Sequence, residues 1–415
     1  MKRGSLKQYF TDVAVKRLST VEVDLKRSHQ HELNGVSALK AIFGETKERL
    51  TFQATFLWLD DELEKAEEED KGFLTWYDAR QNDKTRSSEY RLYFSSTNMM
   101  NQAREGDSIF IALKPDRSLF VIAVPSQSTI KQQLLWLFDL KDLSGSSFEV
   151  KEVSPDKGPE SDFAVNYILD ILGIKKTEPS DPERLDHLLK QFGGEFPRTR
   201  RFSDLARDNC EDVDPLEAPD LALTQWLEFE ETLFLHLEKK IIEKRLQDGF
   251  VGSDGDIDVD SFLKFSLSVQ NRRKARAGLA LENHLEYIFI NHKLEFDRGA
   301  TTENRSKPDF LFPGSSWYHC EKFPASHLTM LGAKSTCKDR WRQVLSEARH
   351  IPKKHLLTLE PSISEYQTTE MKNSNLQLVL PRTLHQTYTR QQRSWLIDLE
   401  AFISEVRRKQ TQAGL

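Results

Sequence analysis

Apolar residues are spaced differently in the two halves of this chain. Up to about position 174 they come in short runs rich in aromatic and β-branched residues: 49–59, 72–77, 90–94, 107–113 and 119–124. Polar loops containing Asp, Ser, Asn and Gly separate these runs, so each one predicts a strand. Strands this short pack most naturally as a small antiparallel barrel. The spacing then changes. Residues 175–220 are polar and Pro-containing, which predicts a linker with short helical pieces. From Leu221 to about Arg245, Trp226, Phe229, Leu233 and Leu237 recur at helical spacing. Phe262, Phe265 and Val269 continue that spacing in a second helix; the two helices could pack the sheet or form a subunit contact, and a core role is the simpler expectation. Further on, Phe310-Leu311-Phe312 is a buried strand closed by Pro313-Gly314, and 328–333 is a second one ending at Lys334. Trp341, Val344, Leu345 and Ala348 then form the core face of a helix.

The pattern predicts three parts: a β-rich domain over 1–174, a linker over 175–220 and an α/β domain over 221–410. With 415 residues, each domain can build its own core. No apolar run approaches a membrane span, and the start lacks the apolar stretch of a signal peptide, so a cytoplasmic protein is expected. Cys210, Cys320 and Cys337 are scattered and suggest neither a disulfide framework nor a zinc site. The net charge of −6 argues against a purely electrostatic DNA binder, but not against a local basic groove. Acids gather at 60–70 and 204–231, and bases at 272–276 and around Lys338.

The candidate chemistry lies between Lys307 and Glu347. If the two buried strands pair, Asp309 and Lys334 meet at one edge of the sheet. In the following helix, Thr336 and Asp339 fit a capping-box-like start. Glu347 on that helix can turn back toward Asp309. Two carboxylates suffice for Mg²⁺, which keeps several of its waters. A lysine beside them can stabilise charge on a phosphate oxygen. Lys338 and Arg340 at the helix start can reach guanine O6/N7, and Asp339 can accept from cytosine N4. Each residue also has a plainer explanation. Lys334 could be a solvated strand end, Asp339 a cap paired with Arg340, and Glu282 a partner of Arg276 or another nearby base on a solvated helix face.

These residues resemble the PD-(D/E)XK nucleases, and within them the EcoRII-type restriction endonucleases. The segments that carry the resemblance are 271–278, Leu281-Glu282, Lys307-Pro308-Asp309-Phe310 and 333–343, within roughly 220–410. In that family the acid normally two positions before the lysine is displaced to the following helix; here position 332 is Gly and Glu347 is the substitute. The resemblance implies a restriction-endonuclease-like α/β fold of a mixed sheet flanked by helices. It implies Asp309 and Glu347 as Mg²⁺ ligands, Lys334 as the catalytic lysine and Glu282 as an assisting acid. It also implies Lys338, Asp339 and Arg340 as readers of a CC…GG site of the CCWGG kind.

The first half is similar, more loosely, to the effector-binding pseudobarrel of the same family. That similarity rests on Lys16-Arg17-Leu18-Ser19, His29-Gln30, and Tyr77 to Arg80 with Lys84 and Arg86. It implies that Arg17, Arg80, Lys84, Arg86 and Arg91 contact a second, effector copy of double-stranded DNA. The acidic segment 62–70 departs from the family. A homodimer, and a methyltransferase acting on the same DNA site, follow from the class. Trp226 is a candidate for stacking an extruded central base. The alternatives are a sequence-specific DNA-binding protein on an inactive nuclease scaffold, and a repair or mobile-element nuclease of the same superfamily.

Overall fold

The computed structural model describes residues 6–23, 31–61, 69–83, 85–141, 145–153, 162–174, 181–210, 213–251 and 256–415. The chain divides into two compact units, Met1–Thr177 with Pro361–Tyr366, and Glu178–Glu360 with Gln367–Leu415.

The first unit is built on one eight-stranded sheet. Its strands are β1 (Asp12–Arg17), β2 (Glu32–Leu33), β3 (Leu50–Trp58), β4 (Glu69–Asp78), β5 (Tyr90–Phe94), β6 (Ser108–Leu113), β7 (Leu119–Val124) and β8 (Glu149–Glu152). The order is β2-β5-β4-β3-β7-β6-β1-β8, and every pair is antiparallel except β3 with β7. One face buries Phe56, Trp76, Leu92 and Phe94. The other buries Phe110, Phe120 and Ile122 under helices α1 (Thr129–Leu137) and α2 (Asp162–Ile171). The two edges curl toward each other: the Phe148 amide donates to the Gly35 carbonyl at 3.2 Å, just outside β8 and β2. Gly35 has a φ of +69°, and a Cβ there would lie 2.8 Å from the Ser146 oxygen. Only glycine allows both the left-handed turn and this close approach. The unit is therefore a pseudobarrel.

The second unit carries a five-stranded mixed sheet. It comprises β9 (Asp297–Arg298), β10 (Phe310–Phe312), β11 (Thr329–Lys334), β12 (Lys354–Thr358) and β13 (Leu376–Val379), in the order β13-β12-β11-β10-β9. β9, β10 and β11 pair antiparallel, whereas β11, β12 and β13 pair parallel. Phe310 and Phe312 pack edge-to-face on Phe289, and Phe312 meets Phe402 of α7 (Leu399–Ala413).

Three further helices lead into this sheet: α3 (Thr199–Asp208), α4 (Pro219–Asp248) and α5 (Val259–Asn291). Pro219 at the first turn and Gly249 at the C-cap bound α4. The buried Asp220 carboxylate accepts the amides of Arg382, Leu399 and Glu400, which ties the start of α4 to the start of α7. Asp258 caps α5 through the Ser261 amide at 2.9 Å. Charged contacts hold α4 against α5: Glu238 pairs with Arg273, and Glu230 and Glu231 pair with Arg276. Trp226 is 3% exposed against His284 and Tyr287, so it is core and not a free stacking surface. The expectation of a core role fails at Phe262, which is 44% exposed, whereas Val269 is buried.

Candidate active site

Strand register brings the predicted residues together. Phe310 pairs with Leu331, and one step further sets Asp309 opposite Gly332. Side chains alternate along strands, so Asp309, position 332 and Lys334 share one sheet face. The Lys334 ammonium then reaches Asp309 Oδ2 at 2.8 Å, and the same oxygen accepts the Ala333 amide at 2.7 Å. Lys334 is thus an oriented, half-buried partner of Asp309 and not a solvated strand end.

Glu347 arrives on this face by an unexpected route. The segment after Lys334 is a turn of 3-10 helix (Lys338–Arg340) followed by the five-residue helix α6 (Trp341–Leu345). Glu347 lies beyond α6 and not on it, because the helix ends before it; the Glu347 amide closes back on the Val344 carbonyl at 3.2 Å. Burial, and then the charge of Asp309, push the Glu347 carboxyl up to about 7. Its Oε2 is buried without a hydrogen-bond partner. Gly332 explains the displacement. A Cβ at 332 would lie 3.0 and 3.3 Å from the two Val344 methyl carbons. Val344 fills the space in which a side chain from the strand would stand.

Glu282, on α5, also faces this pair. Burial raises its carboxyl, and Asp309 raises it further, while Arg298 opposes both. Its partner is not Arg276. The Arg298 guanidinium holds Glu282 Oε2 at 2.9 and 3.1 Å, and reaches Asn283 Oδ1 at 2.8 Å and Glu286 Oε2 at 2.7 Å. Arg298 was not singled out in the sequence. Its position on a two-residue strand next to β10 is a signal that only pairing supplies.

Thr336 Oγ1 accepts the Arg340 guanidinium at 2.9 Å, and α6 begins at Arg340 without a side-chain cap. The buried Glu360 accepts the amides of Cys337 and Lys338 at the start of this turn. Lys338 adopts a φ of +36° and is half-buried, and Arg340 is exposed. The Asp339 side chain lies outside what the structure describes. Cys337 is buried and in no disulfide, in keeping with a filler at a tight turn.

In the first unit, the proposed effector residues sit among acids. Arg80 pairs with Glu89, and Arg91 bridges Glu89 at 3.1 Å and Glu32 at 3.2 Å. Arg86 lies 3.7 Å from Asp83, and Arg17 is half-buried at the end of β1. Lys16 faces inward: fully buried, it pairs with Glu22 at 2.6 Å and donates to the Asn34 carbonyl at 2.9 Å. Lys84, His29, Gln30 and residues 62–68 lie outside the described residues.

The mixed sheet with its carboxylate–lysine pair defines the class, a restriction-endonuclease-like domain. More particularly, residues 234–403 match the family model described as EcoRII C terminal. Over 189 residues the chain is 45% identical to the "Type II restriction enzyme EcoRII" of Escherichia coli, a match that takes in 45% of each. The chain therefore spans about half the length of that curated relative. Two solved structures are similar in outline. "Metal-depleted Ecl18kI in complex with uncleaved, modified DNA" aligns with a TM-score of 0.43 and 17% identity, over 57% of this chain and 86% of that one. "Restriction endonuclease PspGI-substrate DNA complex" aligns with a TM-score of 0.40 and 13% identity, over 56% and 94%. No helix among the described residues is long and apolar enough to cross a membrane.

Proposed function

We propose that the protein is a type II restriction endonuclease, acting in a prokaryotic cytoplasm, that hydrolyses double-stranded DNA with Mg²⁺. The observation that carries this reading is the Asp309–Lys334 pair at 2.8 Å, with the unpartnered Glu347 oxygen close enough to feel it. Among the described residues no three His, Cys, Asp or Glu side chains are arranged to hold a metal. Mg²⁺ needs only one or two protein carboxylates, so Asp309 and Glu347 fit it. When bound there, the ion supplies Lewis acidity at the scissile phosphate and a more acidic water. Asp309 orients the Lys334 ammonium toward the position at which phosphate charge develops. Arg298 keeps Glu282 in place beside them.

By kinship with EcoRII, Lys338, Asp339 and Arg340 read a CC…GG site of the CCWGG kind. On the same ground the protein is a homodimer, each protomer taking one half-site, in keeping with twofold symmetry on a near-palindromic target. Arg17, Arg80, Lys84, Arg86 and Arg91 contact an effector DNA copy. A methyltransferase acting on the same site protects the host DNA. The binding-protein alternative leaves the intact Asp309, Lys334 and Glu347 set without a purpose.

The test is digestion of a plasmid with several CCWGG sites, with Mg²⁺ or with EDTA, followed by sequencing of the ends. Mg²⁺-dependent ends at a fixed CC…GG sequence are expected, and Asp309→Ala should bind that DNA without cutting it. Cleavage by Asp309→Ala would overturn the site assignment. Fixed ends at another sequence would overturn only the reading roles of residues 338–340.

A further inference from the structure

Lys354 opens β12 and is 6% exposed. Its ammonium donates to two backbone carbonyls, Ala348 at 2.5 Å and Ile351 at 2.7 Å. Both belong to the loop that leaves α6 with Glu347 at its head. Ala348 is held at a φ of +46°, a left-handed conformation that a residue with a Cβ disfavours. The Glu347 amide is tied back to α6 on one side, and the Ile351 amide closes onto the Ala348 carbonyl on the other, at 2.9 Å. Glu347 itself has an oxygen with no hydrogen-bond partner. Its position is thus set by its backbone, and Lys354 grips that backbone one residue downstream. The charges of Glu303 and Glu347 both act on Lys354.

We infer that Lys354 is a positioning residue for Glu347: through the Ala348 and Ile351 carbonyls it fixes the loop that presents this carboxylate to Mg²⁺. The inference rests on the proposed reading of Glu347 as a ligand. A ligand on a strand is held by its sheet, whereas one displaced to a loop needs an anchor of its own, and residues behind a metal ligand tune affinity strongly.

The experiment compares full-length wild type, Lys354→Met, Ala348→Gly and Glu347→Gln by calorimetric titration with Mg²⁺ and by the Mg²⁺ concentration giving half-maximal cleavage. DNA binding without metal is measured alongside. Lys354→Met should weaken Mg²⁺ binding about 10- to 100-fold, with metal-free DNA binding unchanged and cleavage largely restored by excess Mg²⁺. A general loss of structure would instead lower DNA binding as well, and excess metal would not rescue it. If Lys354→Met does not fold, Ala348→Gly decides: it removes one buried methyl, leaves the φ of +46° accessible and widens the backbone freedom of the same loop, and should weaken Mg²⁺ binding in the same direction. Unchanged Mg²⁺ affinity in the folded variant would overturn the inference. If Glu347→Gln binds Mg²⁺ like wild type, the reading of Glu347 itself fails, and the inference falls with it. If Glu347→Gln loses Mg²⁺ while Lys354→Met keeps it, only the anchor is wrong.

Discussion

Among single residues, Glu347 has the most perturbed chemistry in the proposed site. A carboxyl held near 7 binds its proton more tightly in the folded chain than in the unfolded one. Folded stability therefore declines as pH rises from the ordinary carboxylate range through about 7. Glu347→Gln removes that dependence. Without metal, the variant should melt with wild type near pH 4 and increasingly above it from pH 5 to about 8. Mg²⁺ should raise the wild-type melting temperature and leave the variant where it was. Parallel melting curves across that pH range would refute the burial of this carboxylate next to Asp309. Much of this was legible beforehand: Asp309, Lys334 and Glu347 can be named from type and spacing, and the structure draws them together. Arg298 and Glu360 were not legible. Each acts on residues far from it in sequence, and nothing local distinguishes them from surface charges.

The elements show which patterns carry information. All five apolar runs of the first half are strands, because alternation or continuous burial marks them directly. β1 was missed, since Lys16 and Arg17 at its end suggest a polar segment; the buried Lys16–Glu22 pair makes a charge compatible with a strand interior. The segment after Lys334 misled in another way. The spacing of Trp341, Val344 and Ala348 implies a continuous helix, yet α6 stops after five residues and Ala348 turns left-handed. Periodicity records which residues are buried, and a helix followed by a turn can bury the same set. The Gly332–Val344 contact makes α6 a lid on its own strand. Gly332→Ala places a carbon 3.0 Å from a Val344 methyl, so something must shift. Overpacking of this kind costs about 1–3 kcal/mol, and the shift should carry Glu347 away from Asp309. Cleavage should fall by at least about tenfold with DNA binding retained, since misplacement of catalytic groups is expensive. Adding Val344→Ala to Gly332→Ala should restore part of the loss in single-turnover assays. Full activity of Gly332→Ala would show that the contact is slack.

At the scale of the whole molecule, the net charge of −6 leaves room for local basic surfaces, and so for the proposed DNA substrate. In the first unit those bases are already engaged: Arg80 and Arg91 share Glu89. Exposed ion pairs of this sort are weak, about 0–1 kcal/mol, so phosphate can displace the acid. Under the effector reading, Arg80→Ala combined with Arg86→Ala should abolish stimulation of cleavage by an added site-bearing oligonucleotide. Unstimulated cleavage should be unchanged. Equal stimulation in the double variant would assign the loop to the solvated surface.

The short path from Lys334 to Glu347 has one more consequence. The proposed base-reading residues, 338 to 340, are threaded between Lys334 and Glu347, the two ends of the proposed catalytic apparatus. An incorrect base pair that pushes Arg340 aside pulls on the tether that delivers Glu347. Discrimination would then show up in turnover more than in residence on the DNA. Retargeting the enzyme by grafting a foreign recognition segment would disturb the chemistry along with the preference.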